Sequence, residues 1–236
     1  MKIPFRLLAV SLLLAATLPL AYAFEGKVSL TMTVERGDTM AIAYSLKGQK
    51  VRTELSAQGH QFASITDLTK RETVMLRPVQ RQYVVVSLEP PIDSDRLVRD
   101  SDMATADIKA TGKAATILGY QCHQILVNDH RTVTEVWVTK ELGAFVGMGQ
   151  GPIPMGGTFG GNNPAIGHVW EEMLKTKGGF PLRVISRDRT GKQTFKLEAT
   201  KIEPGSLPDS LLTPPAGYKK FDLSKTNDPN KSLNGN

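Results

Sequence analysis

Apolar and polar residues alternate along most of the chain, which is the pattern of half-buried β-strands. In residues 27–35, the side chains of Val28, Leu30, Met32 and Val34 fall on one face and hydroxyl residues fall on the other. The same period predicts strands at 39–48, 50–57, 61–68, 72–78, 82–88, 117–127, 132–142, 181–188 and 194–203. We therefore expect a mainly β (α+β) fold with a curved antiparallel sheet.

One segment, 164–177, has the period of an amphipathic helix instead. Asn163 is a suitable N-cap, Pro164 suits the first helical position, and Gly178 suits the position just past the end. Its apolar stripe consists of Ala165, Ile166, Val169, Trp170, Met173 and Leu174. Such a stripe must pack on another apolar surface, and we expect the helix to cover the sheet.

The ends of the chain differ from the segment between them. Residues 1–23 combine two basic residues, an apolar run and a small-residue cleavage pattern, which is typical of a secretory signal peptide. Residues 24–222 are expected to form a single β-rich domain, in which the polar segment 92–112 is interpreted as a connector. The polar end, 223–236, is predicted to be a disordered tail.

A glycine-rich loop at 143–162 interrupts the strands. It contains eight glycines but also large apolar side chains, which is unusual for a simple linker. Apolar side chains of this size need a partner, because exposing them promotes aggregation. We therefore expect a ligand or partner site here, with two tryptophans nearby: Phe145, Met148, Met155, Phe159, Trp137 and Trp170.

Charge and composition narrow the function classes. Without Lys2 and Arg6 the formal net charge falls from +6 to +4, and the charges are interspersed. An exported chain with no basic cluster is not expected to bind nucleic acid. We expect a soluble periplasmic protein, peripheral at most to a membrane.

Cys122 is the only cysteine, and His123 follows it directly. A lone cysteine excludes an internal disulfide. Adjacent residues on a strand point to opposite faces, so these two side chains are not expected to share a metal site or form a nucleophile–base pair. We interpret Cys122 as a core-facing residue alongside Tyr120 and Leu126.

Other candidates for chemistry are weak. No phosphate-binding glycine motif, zinc motif or calcium loop occurs in the sequence. No nucleophile, base and orienting group can be named together. We therefore expect no catalytic residues, no metal site, no cofactor and no enzymatic activity.

Two stretches carry a family resemblance. The first holds Gly-Tyr-x-Cys at 119–122 and Glu-x-Trp-Val-Thr at 135–139, and the second ends in Pro-Asp-Ser-Leu at 208–211 and Pro-Pro-Ala-Gly-Tyr at 214–218. Over residues 110–222 the chain resembles an uncharacterised family of exported bacterial proteins, domain of unknown function 4412. It is also distantly similar to the LolA-like lipoprotein-carrier superfamily, which implies an unclosed half-barrel around an apolar cavity for acyl chains.

Two functional hypotheses remain open at this point. The first is a non-enzymatic periplasmic binding protein for an apolar ligand such as a lipid or acyl chain. The second is an envelope interaction or structural protein that docks a partner protein through the 143–162 loop. An apolar cavity of about 300–1,000 Å³ would favour the first.

Overall fold

The computed structural model describes residues 24–57, 60–88, 105–143, 145 and 168–222. Within these residues twelve strands form one sheet. They are β1 Gly26–Val34, β2 Thr39–Lys47, β3 Lys50–Ala57, β4 His60–Asp67, β5 Glu72–Arg77, β6 Gln82–Ser87, β7 Asp107–Ile117, β8 Tyr120–Asn128, β9 Thr132–Thr139, β10 Phe180–Asp188, β11 Gln193–Pro204 and β12 Lys219–Lys220. The predicted signal peptide and the predicted tail lie outside the described residues.

The sheet joins two antiparallel runs of neighbouring strands. Its order is β12-β6-β5-β4-β3-β2-β1-β11-β10-β9-β8-β7, so β1 pairs with β11 across the middle. All pairs are antiparallel except β12, which lies parallel to β6. The predicted fold class is confirmed: the protein is mainly β, with one large unclosed antiparallel sheet consistent with a half-barrel.

The alternation seen in the sequence separates the two faces of the sheet. Val28 lies opposite Tyr44 on β2 and Ile202 on β11, and Leu30 and Ile42 form the next pair along. Val28, Leu30, Ile42 and Tyr44 are all at most 3% exposed. We call the face that carries these residues the inner face and the opposite one the outer face.

The α-helix α1 (His168–Lys177) packs on the inner face. Its stripe of Val169, Trp170, Met173 and Leu174 is buried. Gly178 follows the helix with φ of +73° and donates to the Leu174 carbonyl, as expected of a glycine at this position. The predicted residues 164–167 lie outside the described residues. No described helix combines the length and the apolar character that crossing a bilayer requires.

Two sequence predictions in the middle of the chain were wrong. The segment 117–127 is not one strand, because Leu118 and Gly119 both have positive φ and form the two-residue turn between β7 and β8. The predicted connector, 92–112, was also placed too far along the chain at its end, because β7 already begins at Asp107. This strand is at the edge of the described sheet and is exposed along most of its length, so its sequence lacks an apolar alternation.

After β11 the chain crosses the outer face of the sheet. We call residues 205–218 the C-terminal strap. Lys47 Nζ donates to the Leu207 carbonyl at 2.7 Å, and Arg52 Nη1 donates to the Leu211 carbonyl at 3.3 Å. A short 3-10 helix, Asp209–Leu212, forms part of the strap, which then leads to β12.

Candidate functional site

The inner face divides into two halves. In the first, which we call the packed half, α1 and Phe145 cover β1, β2 and β8 to β11 with close aromatic contacts. Phe145 stacks on Trp170 with a centroid distance of 5.7 Å, and it meets Tyr44 and Phe180 at 5.7 and 5.6 Å. Trp170 also lies 6.2 Å from the Phe195 ring. These rings fill the space between the helix and the sheet.

The structure brings together two of the predicted site residues. Phe145 and Trp170 are 2% and 3% exposed, so both belong to the packed half. Trp137 is half-buried on β9, and it alternates with Val136 and Val138, which places it on the other face. Met148, Met155 and Phe159 lie outside the described residues. The site assignment as a whole therefore stays a prediction.

Polar groups inside the packed half are few and differ in their bonding. The Tyr44 hydroxyl hydrogen-bonds to Thr53, and burial raises the pKa of Tyr44 well above its ordinary value. The hydroxyls of Thr134 and Ser186 lie 2.8 Å apart and bond to each other, and both residues are 3% exposed. The Trp170 Nε1 is buried without a hydrogen-bond acceptor in the described structure. Sequence reasoning named Trp170 but missed Tyr44, Thr134 and Ser186. Only strand register brings Thr134 and Ser186 together.

The second half of the inner face, formed by β3 to β6, has a different character. We call it the open half. Register places Leu55, Phe62, Met75 and Val86 there, and all four are half-buried. The Thr66 and Thr73 hydroxyls are buried and bond to each other at 3.1 Å. No described helix lies over the inner face of these four strands. The sequence signal for them was the alternation in 61–68 and 72–78.

The outer face carries a small pocket beneath the C-terminal strap. Its volume is about 180 Å³, and its lining includes Arg52, Glu54, Gln61, Leu76 and Tyr218. Arg52 donates to Glu54 Oε1 from both Nε and Nη2, at 2.9 and 2.7 Å. The pocket is smaller than the roughly 300–1,000 Å³ of typical ligand sites.

The comparisons with known proteins begin with the family. Residues 24–218 match the family described as domain of unknown function (DUF4412). The chain belongs to this family. The predicted resemblance is therefore confirmed, and no curated protein matches.

Several solved structures are similar to this chain, at low sequence identity. An uncharacterized conserved protein from Thermus thermophilus is 10% identical with a TM-score of 0.48, covering 85% of this chain and 91% of that one. PNGF-II is 14% identical with a TM-score of 0.46, covering 86% of this chain but only 32% of its own. A putative outer membrane lipoprotein-sorting protein domain from Vibrio parahaemolyticus is 8% identical with a TM-score of 0.31, covering 80% and 89%.

The Gly-Tyr-x-Cys motif lies at the β7–β8 turn and the start of β8. Gly119 completes the β7–β8 turn, and Cys122 is fully buried in the core cluster while His123 is exposed. The prediction that Cys122 is a core residue is confirmed. Tyr120 and Leu126, which were predicted to accompany it, share its face of β8; Tyr120 packs against the core cluster, whereas Leu126 is half-buried outside it.

Titratable side chains do not assemble into a reactive centre in the described part of the chain. Burial raises the pKa of the Cys122 thiol, and the nearby Glu141 carboxylate acts in the same direction. A raised pKa disfavours the thiolate that a nucleophile needs. Among the described residues no group of three or more His, Cys, Asp or Glu side chains could hold a metal ion.

Proposed function

We propose that this protein is a non-enzymatic periplasmic binding protein for an apolar ligand, such as a lipid or an acyl chain. The observation that carries the proposal is the division of the inner face. One half is filled by aromatic rings and α1, while the other presents half-buried apolar side chains from four adjacent strands. Small-molecule sites are lined mostly by apolar side chains with a few polar groups, and the open half has that composition.

The chemistry of the open half supports an apolar ligand rather than a charged one. The inner positions of β3 to β6 are mostly apolar or hydroxyl side chains, such as Thr53, Leu55, Ser64 and Met75. The register also places Arg77 on this face, at the end of β5. The Thr66 and Thr73 hydroxyls already bond to each other, so they need no partner from the ligand. An acyl chain would remove apolar surface from water here without separating any ion pair.

The periplasmic location rests on the predicted signal peptide, and its test is the N-terminus of the exported protein. Docking of a partner through the 143–162 loop also stays a prediction. Phe145, which belongs to that loop, is buried among other aromatic rings. This burial favours a structural role for Phe145 over direct contact with a partner protein.

The test compares two substitutions on neighbouring residues of β5. Met75→Glu places a carboxylate on the open half, and Val74→Glu places the same group on the outer face at a residue that is also half-buried. A dansyl-labelled fatty acid is the probe, and its affinity is measured by fluorescence titration. We expect Met75→Glu to weaken binding at least tenfold, a loss of about 1.4 kcal/mol, because the acyl chain cannot solvate the new charge.

The control is Val74→Glu. It should bind the probe within about twofold of the unmodified protein, a difference well below the 1.4 kcal/mol of a tenfold change. Equal losses in both variants would mean that the open half is not the binding surface. Native mass spectrometry of protein purified from its own periplasm supplies an independent readout. An unmodified protein that carries no lipid and binds no probe would refute the proposed function itself.

A further inference from the structure

Arg77 lies on the open half of the inner face, at the point where β5 ends. It follows Thr73 and Met75 at alternate positions of this strand and lies opposite Gln82 on β6. The residue is half-buried, and its guanidinium lies over the Phe221 ring, 5.5 Å from the centroid. In the described part of the chain this guanidinium pairs with no carboxylate. A partly buried cation without an anionic partner is a candidate for pairing with an anionic ligand.

The surroundings of Arg77 on this face are positive. Lys219 on β12 lies beside Gln82 and shares its face, so two cations and an amide form a row across three neighbouring strands. The ends of this row are two strand spacings apart, about 10 Å between Cα atoms. No Asp or Glu occupies an inner position of the described strands β3 to β6 and β12. This end of the open half should therefore attract anions.

Phe221 orients the guanidinium of Arg77. The Phe221 N–H donates to the Tyr83 carbonyl at 2.8 Å, which continues the pairing of β12 with β6 past Lys220. Alternation returns Phe221 to the face of Lys219, where its ring supports one flat side of the guanidinium. The N–H groups at the edge of a guanidinium in this position stay available, and their planar fork matches the two oxygens of a carboxylate.

Apolar side chains begin directly beside this cation. The register of β4 and β5 brings Phe62 next to Arg77, and Met75 precedes it on the same face. Thr73 lies four residues before Arg77, about 13 Å along the strand. There Thr73 and Thr66 are buried and bonded to each other. The accessible surface thus has a charged end and an apolar stretch with the proportions of a single acyl chain.

We propose that the ligand of the open half is a free fatty acid whose carboxylate accepts hydrogen bonds from the Arg77 guanidinium. This inference rests on the proposed function and names its ligand class. The chain covers Met75 and Phe62, while the charged group stays at the end of β5, outside the apolar positions. Apolar surface then leaves water, and neither charge is buried without a partner.

The experiment removes the cation and keeps an unbranched side chain, by Arg77→Met. Lys220→Met is the matched control, because Lys220 lies beside Tyr83 and therefore on the outer face of β12. Decanoate and 1-decanol are titrated by calorimetry at neutral pH. These two probes have the same chain and differ only in the charge of the head group. A short-chain phosphatidylglycerol is the third probe, and it carries a phosphate in place of the carboxylate.

We expect the unmodified protein to bind decanoate more tightly than 1-decanol. Arg77→Met should weaken decanoate binding at least about tenfold, because the charge-assisted hydrogen bonds are lost. The affinity for 1-decanol should stay within about twofold in all three proteins, which also shows that the variants are folded. Lys220→Met should bind decanoate like the unmodified protein, and phosphatidylglycerol should bind less tightly than decanoate.

Unchanged decanoate binding in Arg77→Met, or the same loss in Lys220→Met, would overturn the inference. Equal losses for decanoate and 1-decanol would also overturn it, since Arg77 would then act only through packing. Tighter binding of phosphatidylglycerol that depends on Arg77 would overturn the choice of a carboxylate. If the unmodified protein binds 1-decanol as tightly as decanoate, the inference fails and the proposed function stands. If it binds none of the probes, both fail.

Discussion

At the scale of single residues, β8 buries side chains on both of its faces. Cys122 and Gln124 point to one side and are 0% and 5% exposed, while Val127 points to the other and is 1% exposed. Gln124 is buried at little cost because its amide donates to Glu135 at 2.8 Å and accepts from Thr111 at 2.9 Å. The Cys122 thiol donates only weakly to the Tyr120 carbonyl, at 3.7 Å, and behaves as a small apolar residue.

We predict that Cys122 in the native protein reacts slowly with a bulky maleimide at neutral pH. The thiol is buried, and its raised pKa keeps the thiolate fraction below that of a free cysteine. The matched control is Cys122→Ala combined with His123→Cys, which moves the thiol to the exposed neighbouring position. The control should react at least about tenfold faster, and urea should abolish the difference. Fast labelling of native Cys122 would contradict its burial.

At the scale of elements, polar anchors hold the C-terminal strap on the outer face. Glu25 accepts from the Leu207 N–H at 2.6 Å, and Lys47 donates to Asp209 at 2.8 Å. The Leu207 contact is the main cause that lowers the pKa of Glu25, and Lys47 lowers the pKa of Asp209. Carboxylates with lowered pKa values stabilise the folded state above their ordinary pKa.

The strap should therefore loosen at low pH. The contribution of Glu25 and Asp209 is complete above their ordinary pKa values of 4.5 and 3.8, and it is lost as the pH falls through the lower folded values. The measurement is the backbone amide signal of Leu207 in an NMR titration. Lys47→Met should move its transition to higher pH, because the cation that favours both carboxylates is gone.

Lys27→Met, at an exposed position on β1, is the control and should leave the Leu207 titration unchanged. A Leu207 transition that is the same in Lys47→Met and the unmodified protein would show that these charges do not hold the strap.

The elements that could be predicted from sequence are those whose two faces meet different surroundings. β1 to β6 and β9 to β11 alternate between a buried and a more accessible face, and the stripe of α1 matches its packed surface. The start of β7 was not predicted because most of this strand is exposed, and the strap was not predicted because Lys47 and Leu207 are distant in the sequence. Within the candidate site, Phe145 and Trp170 were found as large apolar residues. Their mutual stacking and the unpaired Nε1 depend on tertiary packing that no local pattern encodes.

At the scale of the whole molecule, the pairing of β1 with β11 is what unites the two halves of the sheet. Gly26 opens this pairing opposite Pro204, with φ of +153°. A Cβ at Gly26 would overlap the Glu203 carbonyl oxygen and lie 2.8 Å from the Phe24 ring. The first described residues therefore fit closely against the last residues of β11.

We predict that Gly26→Ala destabilises the protein far more than Gly37→Ala. Both positions have positive φ, but a Cβ at Gly37 meets no atom within 4 Å, so only its backbone strain of about 1–2 kcal/mol remains. Gly26→Ala adds the overlap with backbone atoms, and its loss in the free energy of unfolding should exceed about 2 kcal/mol. Urea denaturation measures both, and equal losses would show that the β1–β11 junction tolerates a side chain.

The same junction decides when the chain can finish folding. Hairpins such as β1–β2 and β9–β8 join residues close in sequence and can form early, whereas β1 must wait for β11 near the other end of the chain. Until then β1 presents an unpaired apolar edge, which is open to other unfolded chains. A polypeptide that emerges from its N-terminus, on a ribosome or across a membrane, would depend on protection by chaperones until nearly all of it has appeared.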